Sequence, residues 1–167
     1  VLAPDYHGMK PTMAVQAGER VAKGQLLFSD RKTEGVQYTA PVAGTIAAIN
    51  RGPKRVLLSV VIDVEGSEER EFARYDAGAL ASLTREQVRE NLTASGLWTS
   101  LRTRPYSKVP SPQTVPHAIF VTAIDTQPLA AEPELIIDRS REFFVCGLHA
   151  LKALTTGPVY VCTRTDS

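Results

Sequence analysis

The chain has 167 residues, 43% of them hydrophobic and 22% charged, with a net charge of +1. That is the balance of an ordinary globular protein, long enough for one medium domain or two small ones and able to bury a core without metals or disulfides. Near-zero net charge supplies no strong field to draw in nucleic acid or an acidic membrane, and no apolar stretch approaches the ~20 residues that span a bilayer. Cys146 and Cys162 form no CxxC pair and are too few for a disulfide framework, so both read as reduced thiols. No signal peptide is visible. The first residue is Val1 and the last core-like strand, Val159–Cys162, lies almost at the end, so the sequence is expected to be a piece of a longer chain.

From Pro11 to Val64 short alternating runs are separated by glycine and proline, the pattern of a compact all-β unit. Leu26–Asp30 is the first clear strand. Arg31–Gly35 is a polar loop ending on glycine, suited to a hairpin bend, and Val36–Thr39 returns. Ala40–Gly44 is a second corner, in which Pro41 fixes φ and Gly44 can take φ > 0. Thr45–Ile49 follows, Asn50–Pro53 turns the chain, and Val56–Val64 pairs in the interior. The segment resembles the barrel-sandwich folds of biotinyl and lipoyl carrier domains, through Val15–Leu27 and the return Ala40–Ile46. In those carriers a lysine at the hairpin tip takes the cofactor through an amide bond. Lys32 is the lysine of this loop, but its neighbours Arg31, Thr33 and Glu34 are not the flanks that carrier-modifying enzymes recognise.

Gly66–Gly78 is polar and acidic and reads as a crossing between two halves. Thr84 is then a good N-cap with Gln87 at N3, a capping box, and Leu83 and Val88 occupy the hydrophobic-staple positions. Val88 and Leu92 share a face, and Gly96 is placed as the residue just past the helix end. Arg104–Pro116 carries four prolines and excludes a regular helix or central strand. Ala118–Ile124 suits a strand buried on both faces. A helix starting at Pro133 continues through Ile137, Phe144, Leu148, Leu151 and Leu154 to Gly157-Pro158, and Val159–Cys162 is the next strand. Strand, helix and strand of this length form a parallel crossover, which places Ala123–Thr126 and the residues beyond Cys162 near any pocket.

The fold expected is therefore mixed α+β. A β-rich, biotinyl/lipoyl-like barrel-sandwich hybrid occupies residues 1–66, a connector 67–83, and an incomplete Rossmann-like α/β unit 84–167. No GxG occurs, which excludes the dinucleotide fingerprint and the P-loop. His7, His117 and His149 are far apart in sequence. Cys146 and His149 are three residues apart on a helix, with no third ligand near them. There is no nucleophile elbow or H-E-x-x-H, so neither a catalytic residue nor a metal ligand is assigned. The unusual stretch is Ser95–Pro110: between Asn91 and Ile124 the charged residues are three basic ones, Arg102, Arg104 and Lys108. Trp98, Arg102, Arg104, Tyr106 and Lys108 form the candidate site. As a groove, its arginines would grip carboxyl, phosphate or carbonyl oxygens while Trp98 or Tyr106 stacks on a ring. As a proline-rich interface loop, the same residues would cover a domain junction or dock a partner.

Several motifs carry a family resemblance: His7–Met13, Lys23–Phe28, Thr39–Pro41, Ile49–Gly52, Lys54–Leu57, Ser59–Gly66, Ser95–Thr99, Leu101–Pro105 and Pro128–Ala131. Through them the chain resembles the NqrA subunits of the sodium-translocating NADH:quinone oxidoreductases, the NQR complexes. The resemblance implies a peripheral place on the cytoplasmic face of the bacterial inner membrane, within a six-subunit complex that oxidises NADH, reduces ubiquinone and exports sodium. It implies that flavins and the iron centre belong to other subunits and that this part binds no cofactor of its own. It also implies a role in assembly and contact with the quinone. A flavin-binding or biotin/lipoate-carrier module of another redox complex is the alternative. Related flavin-binding subunits place a glycine-rich loop where this chain has Ser95–Arg104. Here only Gly96 remains, and Trp98 and Leu101 would obstruct a flavin phosphate.

Overall fold

The computed structural model describes residues 1–164. The chain divides into two compact units, one of residues 1–73 and 89–114, the other of 74–88 and 115–167. The sequence pattern assigns residues 84–114 to the second domain. By compactness, 89–114 group with the β-rich part, where Thr39 Oγ1 donates to the Ser95 carbonyl at 2.9 Å and the Trp98 indole donates to Pro110 O at 2.9 Å.

The first unit holds six strands: β1 (Pro11–Met13), β2 (Arg20–Val21), β3 (Leu26–Asp30), β4 (Gln37–Thr39), β5 (Gly44–Arg51) and β6 (Leu57–Val64). They form two three-stranded antiparallel sheets, ordered β1-β3-β4 and β2-β5-β6. Both sheets contribute buried side chains: Leu27, Phe28 and Tyr38 from the first, Val21, Ile46 and Val60 from the second, with Val36 from the loop before β4. Leu27 and Phe28 are neighbours yet both are fully buried, at the point where the β3–β4 ladder shifts register, and burial of these aliphatic and aromatic groups drives the folding of the unit. The β5–β6 ladder shifts register twice, between Ile46 and Ala48 and between Asn50 and Arg51; such bulges coil a sheet. Gly44 starts β5 at φ +156°, and a Cβ there would collide with the Asp63 carbonyl, so the close approach of β6 demands glycine.

The connector is tied to the β unit by parallel-strand contacts. Lys23 N–H donates to Glu68 O at 2.9 Å, Arg70 N–H to Lys23 O at 2.8 Å, and Lys23 pairs with Glu69. A 3-10 turn at Ala77–Ser82 leads to α1 (Arg85–Ala94). Its capping box is formed in both directions: Thr84 N–H to Gln87 Oε1 at 2.9 Å, and Gln87 N–H to Thr84 Oγ1 at 3.3 Å. Val88 is buried, and Gly96 takes the left-handed conformation at φ +80°. A Cβ on Gly96 would also strike Thr39 Oγ1.

In the second unit β7 (Ile119–Thr122) pairs with β8 (Val159–Cys162) in parallel, the expected crossover. Two details differ from expectation. The single helix is two, α2 (Pro133–Arg139) and α3 (Arg141–Ala153), because Ser140 leaves helical geometry at φ −134°, ψ 34° and its carbonyl then accepts from Phe144 N–H at 2.9 Å. Serine is a poor helix former that readily begins a new one. Nor is β7 buried on both faces. Phe120 is 64% exposed and stacks on Tyr160, its parallel neighbour, at 5.1 Å, because among the described residues this sheet has only two strands.

Candidate functional site

Residues 6–9, the loop after β3 and the chain around Lys108 enclose a cavity of about 240 Å³ in the first unit. Asp30, at the end of β3, is buried and forms part of its wall. One carboxylate oxygen accepts from Lys10 N–H at 2.9 Å and Lys32 N–H at 3.0 Å, so the aspartate fixes both rims of the opening. Alternation on β4 sends Tyr38 inward. Its ring stacks on Phe28 at 4.6 Å and meets Tyr6 edge-on at 4.7 Å. Tyr38 is 3% exposed, lines the cavity, and its hydroxyl has no hydrogen-bond partner among the described residues. Burial raises its pKa well above the usual phenol range and the Asp30 carboxylate adds to the rise, so it stays a neutral donor. His7, Met9, Lys32 and Lys108 complete a wall that mixes aromatic surface with cationic donors.

The residues singled out from sequence are dispersed relative to this cavity. Trp98 is 3% exposed, and its indole nitrogen is occupied by Pro110 O, so it serves as the packing centre of the loop. Arg102 donates to the Thr99 and Leu101 carbonyls and lies over the Tyr6 ring at 5.3 Å. Arg104 is exposed and Tyr106 is 73% exposed. Lys108 stands over the Tyr106 ring at 5.8 Å and is the one member of the set that lines the cavity. Tyr6, Asp30 and Tyr38 are absent from that set. Their signal in the sequence is the His7–Met13 motif and an aspartate closing a strand, but the meeting of β4 with residues 6–9 is a long-range contact that local pattern does not contain.

At the carboxyl ends of the parallel strands, Ala123 is buried and its N–H donates to Cys162 O at 2.9 Å. Of the residues expected near a pocket beyond Cys162, those from 165 to 167 lie outside the described residues. Cys146 and Cys162 are free thiols. Among the described residues no group of three or more His, Cys, Asp or Glu is placed to hold a metal ion, and no helix is long and apolar enough to cross a membrane.

A two-sheet barrel-sandwich and a parallel α/β unit, with the polar cavity in the sandwich part, define a bipartite module. The NqrA N-terminal barrel-sandwich hybrid domain matches residues 1–65, and the NqrA second alpha/beta domain matches residues 83–167. The chain belongs to the NqrA family. It is similar to the NqrA protein of Pseudomonas aeruginosa, from that organism's Na(+)-translocating NADH-quinone reductase, 61% identical over 158 residues, 95% of this chain and 35% of the relative. The corresponding protein of Teredinibacter turnerae is 59% identical over 162 residues, 97% of this chain and 36% of the relative. That of Vibrio campbellii is 56% identical over the same share of each chain. The chain thus spans about a third of the length of the curated relatives it matches.

Proposed function

We propose that the chain acts as part of the peripheral NqrA subunit of a sodium-translocating NADH:quinone reductase, on the cytoplasmic face of the bacterial inner membrane. It would work in assembly of the six-subunit complex and in contact with the quinone. The observation that carries this reading is the 61% identity to a curated NqrA protein over 95% of the chain. In this role the chain holds no flavin or metal of its own. The NADH, flavin and iron chemistry belongs to other subunits, and the enzyme activity to the complex.

The quinone contact is the part that the cavity supports. A quinone head is a flat ring with carbonyl acceptors. Tyr38 offers an unspent hydroxyl donor, Lys108 an ammonium donor, and Tyr6 an aromatic wall over which Arg102 lies. In this reading, of the five residues proposed from sequence, Lys108 touches the head and Arg102 positions Tyr6. Arg104 and Tyr106 lie on the exposed loop where a neighbouring subunit would meet it, and Trp98 anchors that loop.

The test is purification of the tagged full-length protein from bacterial membranes. The other pump subunits should co-purify, and a protein recovered alone would refute the assignment. Photolabelling of the assembled complex with a quinone analogue addresses the contact. Labels should fall within Trp98–Lys108 or on the cavity wall, and labels confined to other subunits would remove the quinone role while leaving the assembly role standing.

A further inference from the structure

A second, larger concavity of about 540 Å³ lies on the β unit, between residues 3–11 and the tip of the β5–β6 hairpin. Lys10, Arg31, Arg51, Lys54 and Arg55 line it together with His7, and no carboxylate does. All five lysines and arginines are exposed, and none is ion-paired among the described residues. This contrasts with Arg20 and Lys23 of the same unit, which meet Glu68 at 2.8 Å and Glu69 at 3.0 Å. On a chain of net charge +1 the carboxylates are plentiful, yet this trough is bare of them. Like charges gathered without counter-charges repel one another, and an arriving anion relieves that repulsion.

The hairpin tip presents two of these cations. Lys54 and Arg55 both have left-handed backbones, at φ 54° and 62°, although neither is glycine. Left-handed residues are what a tight hairpin turn requires, and at this tip both are cations that line the trough. Arg51 Nη1 donates to Arg55 O at 3.1 Å and clamps the tip in this form.

We propose that this trough is the docking site for an acidic, extended protein segment of a partner. Arginine forks match carboxylates two bonds at a time, and an extended segment sends alternate side chains to one side, where they can enter a trough. A planar headgroup surface would meet only the rim of such a concavity, which favours a peptide over a membrane. The two concavities share residues 6–9, but none of the five lysines and arginines invoked here lines the first one, so the proposal does not rest on the quinone reading and is tested apart from it.

The probe is fluorescein-labelled octaglutamate, followed by anisotropy with the full-length protein at low ionic strength. Binding should weaken as salt is raised, because exposed charges are screened within about 10 Å at 0.1 M. The triple variant R31Q/R51Q/R55Q should bind at least about tenfold more weakly, as loss of several complementary charges requires. R20Q/K23Q, which removes cations outside the trough, should bind as the parent does. Thermal melts of both variants establish that each is folded, and R31K/R51K/R55K, which keeps the charges without the forks, should bind more weakly than the parent and more tightly than the glutamine variant. Undiminished binding by the folded glutamine variant overturns the proposal. So does binding of phosphatidylglycerol vesicles through these three arginines with no binding of the peptide, which would make the trough a lipid site.

Discussion

Tyr38 illustrates how much one position gains from its surroundings. As a residue of a short strand it is merely β-prone, whereas in the fold it is pressed between Phe28 and Tyr6 beside Asp30. Burial raises its pKa above the ordinary value of about 10, so the folded state favours the neutral phenol. The stability linked to this shift is fully present below about pH 10 and is lost as pH rises from there toward the folded pKa. A denaturation series should therefore show an alkaline loss of stability that Tyr38→Phe diminishes, with phenolate absorbance reporting the late titration. An identical alkaline limb in the variant would contradict this. Glu68 carries the opposite sign. Its pKa is lowered by hydrogen bonding to its own backbone and by Arg20, so its contribution is present above the usual carboxylate range and fades as acid protonates it. Gly44 is constrained sterically. Gly44→Ala drives a methyl into the Asp63 carbonyl and should cost more than about 1 kcal/mol in chemical denaturation.

Among the elements, α1 is the one that sequence describes most closely. A capping box needs only residues three apart, and both of its bonds form as the spacing implies. Thr84→Ala should cost about 1 kcal/mol, read as a lowered denaturation midpoint with unchanged slope. The α2–α3 pair is less legible. The apolar stripe from Ile137 to Leu154 continues across Ser140, so periodicity alone carries the helix through the break. The loop after β3 raises a covalent question. Lys32 is exposed there, and its backbone N–H is held by Asp30. If the loop were a carrier arm, protein made in cells with biotin and lipoate ligases would show the added mass on Lys32. The intact mass is expected to be that of the unmodified chain.

For the whole molecule, the two-sheet sandwich depends on a few residues that meet from distant parts of the chain. Phe28 is fully buried and is the largest of them. Phe28→Ala should destabilise by about 3–5 kcal/mol, measured by urea denaturation, because it leaves a cavity where a fully buried ring had packed. The same variant removes the ring on which Tyr38 stacks, so the cavity should lose its shape along with stability.

The sequence by itself determined what depends on neighbours along the chain. The alternating runs set the strands β3 to β6, Thr84 and Gln87 set the start of α1, and the apolar stretches around Phe120 and Tyr160 set a parallel strand pair. Its motifs also placed the chain in its family, as the matches over residues 1–65 and 83–167 show. Only the tertiary structure decided which polar groups face one another. It moved Trp98 into the interior, laid Arg102 against Tyr6, brought Lys108 to the cavity that Asp30 and Tyr38 define, and gathered around one trough five cations without an ion pair among the described residues. The reason is physical. Secondary structure follows from local sterics and periodic burial, whereas a site is made of contacts between residues tens of positions apart, and these exist only once the sheets have closed.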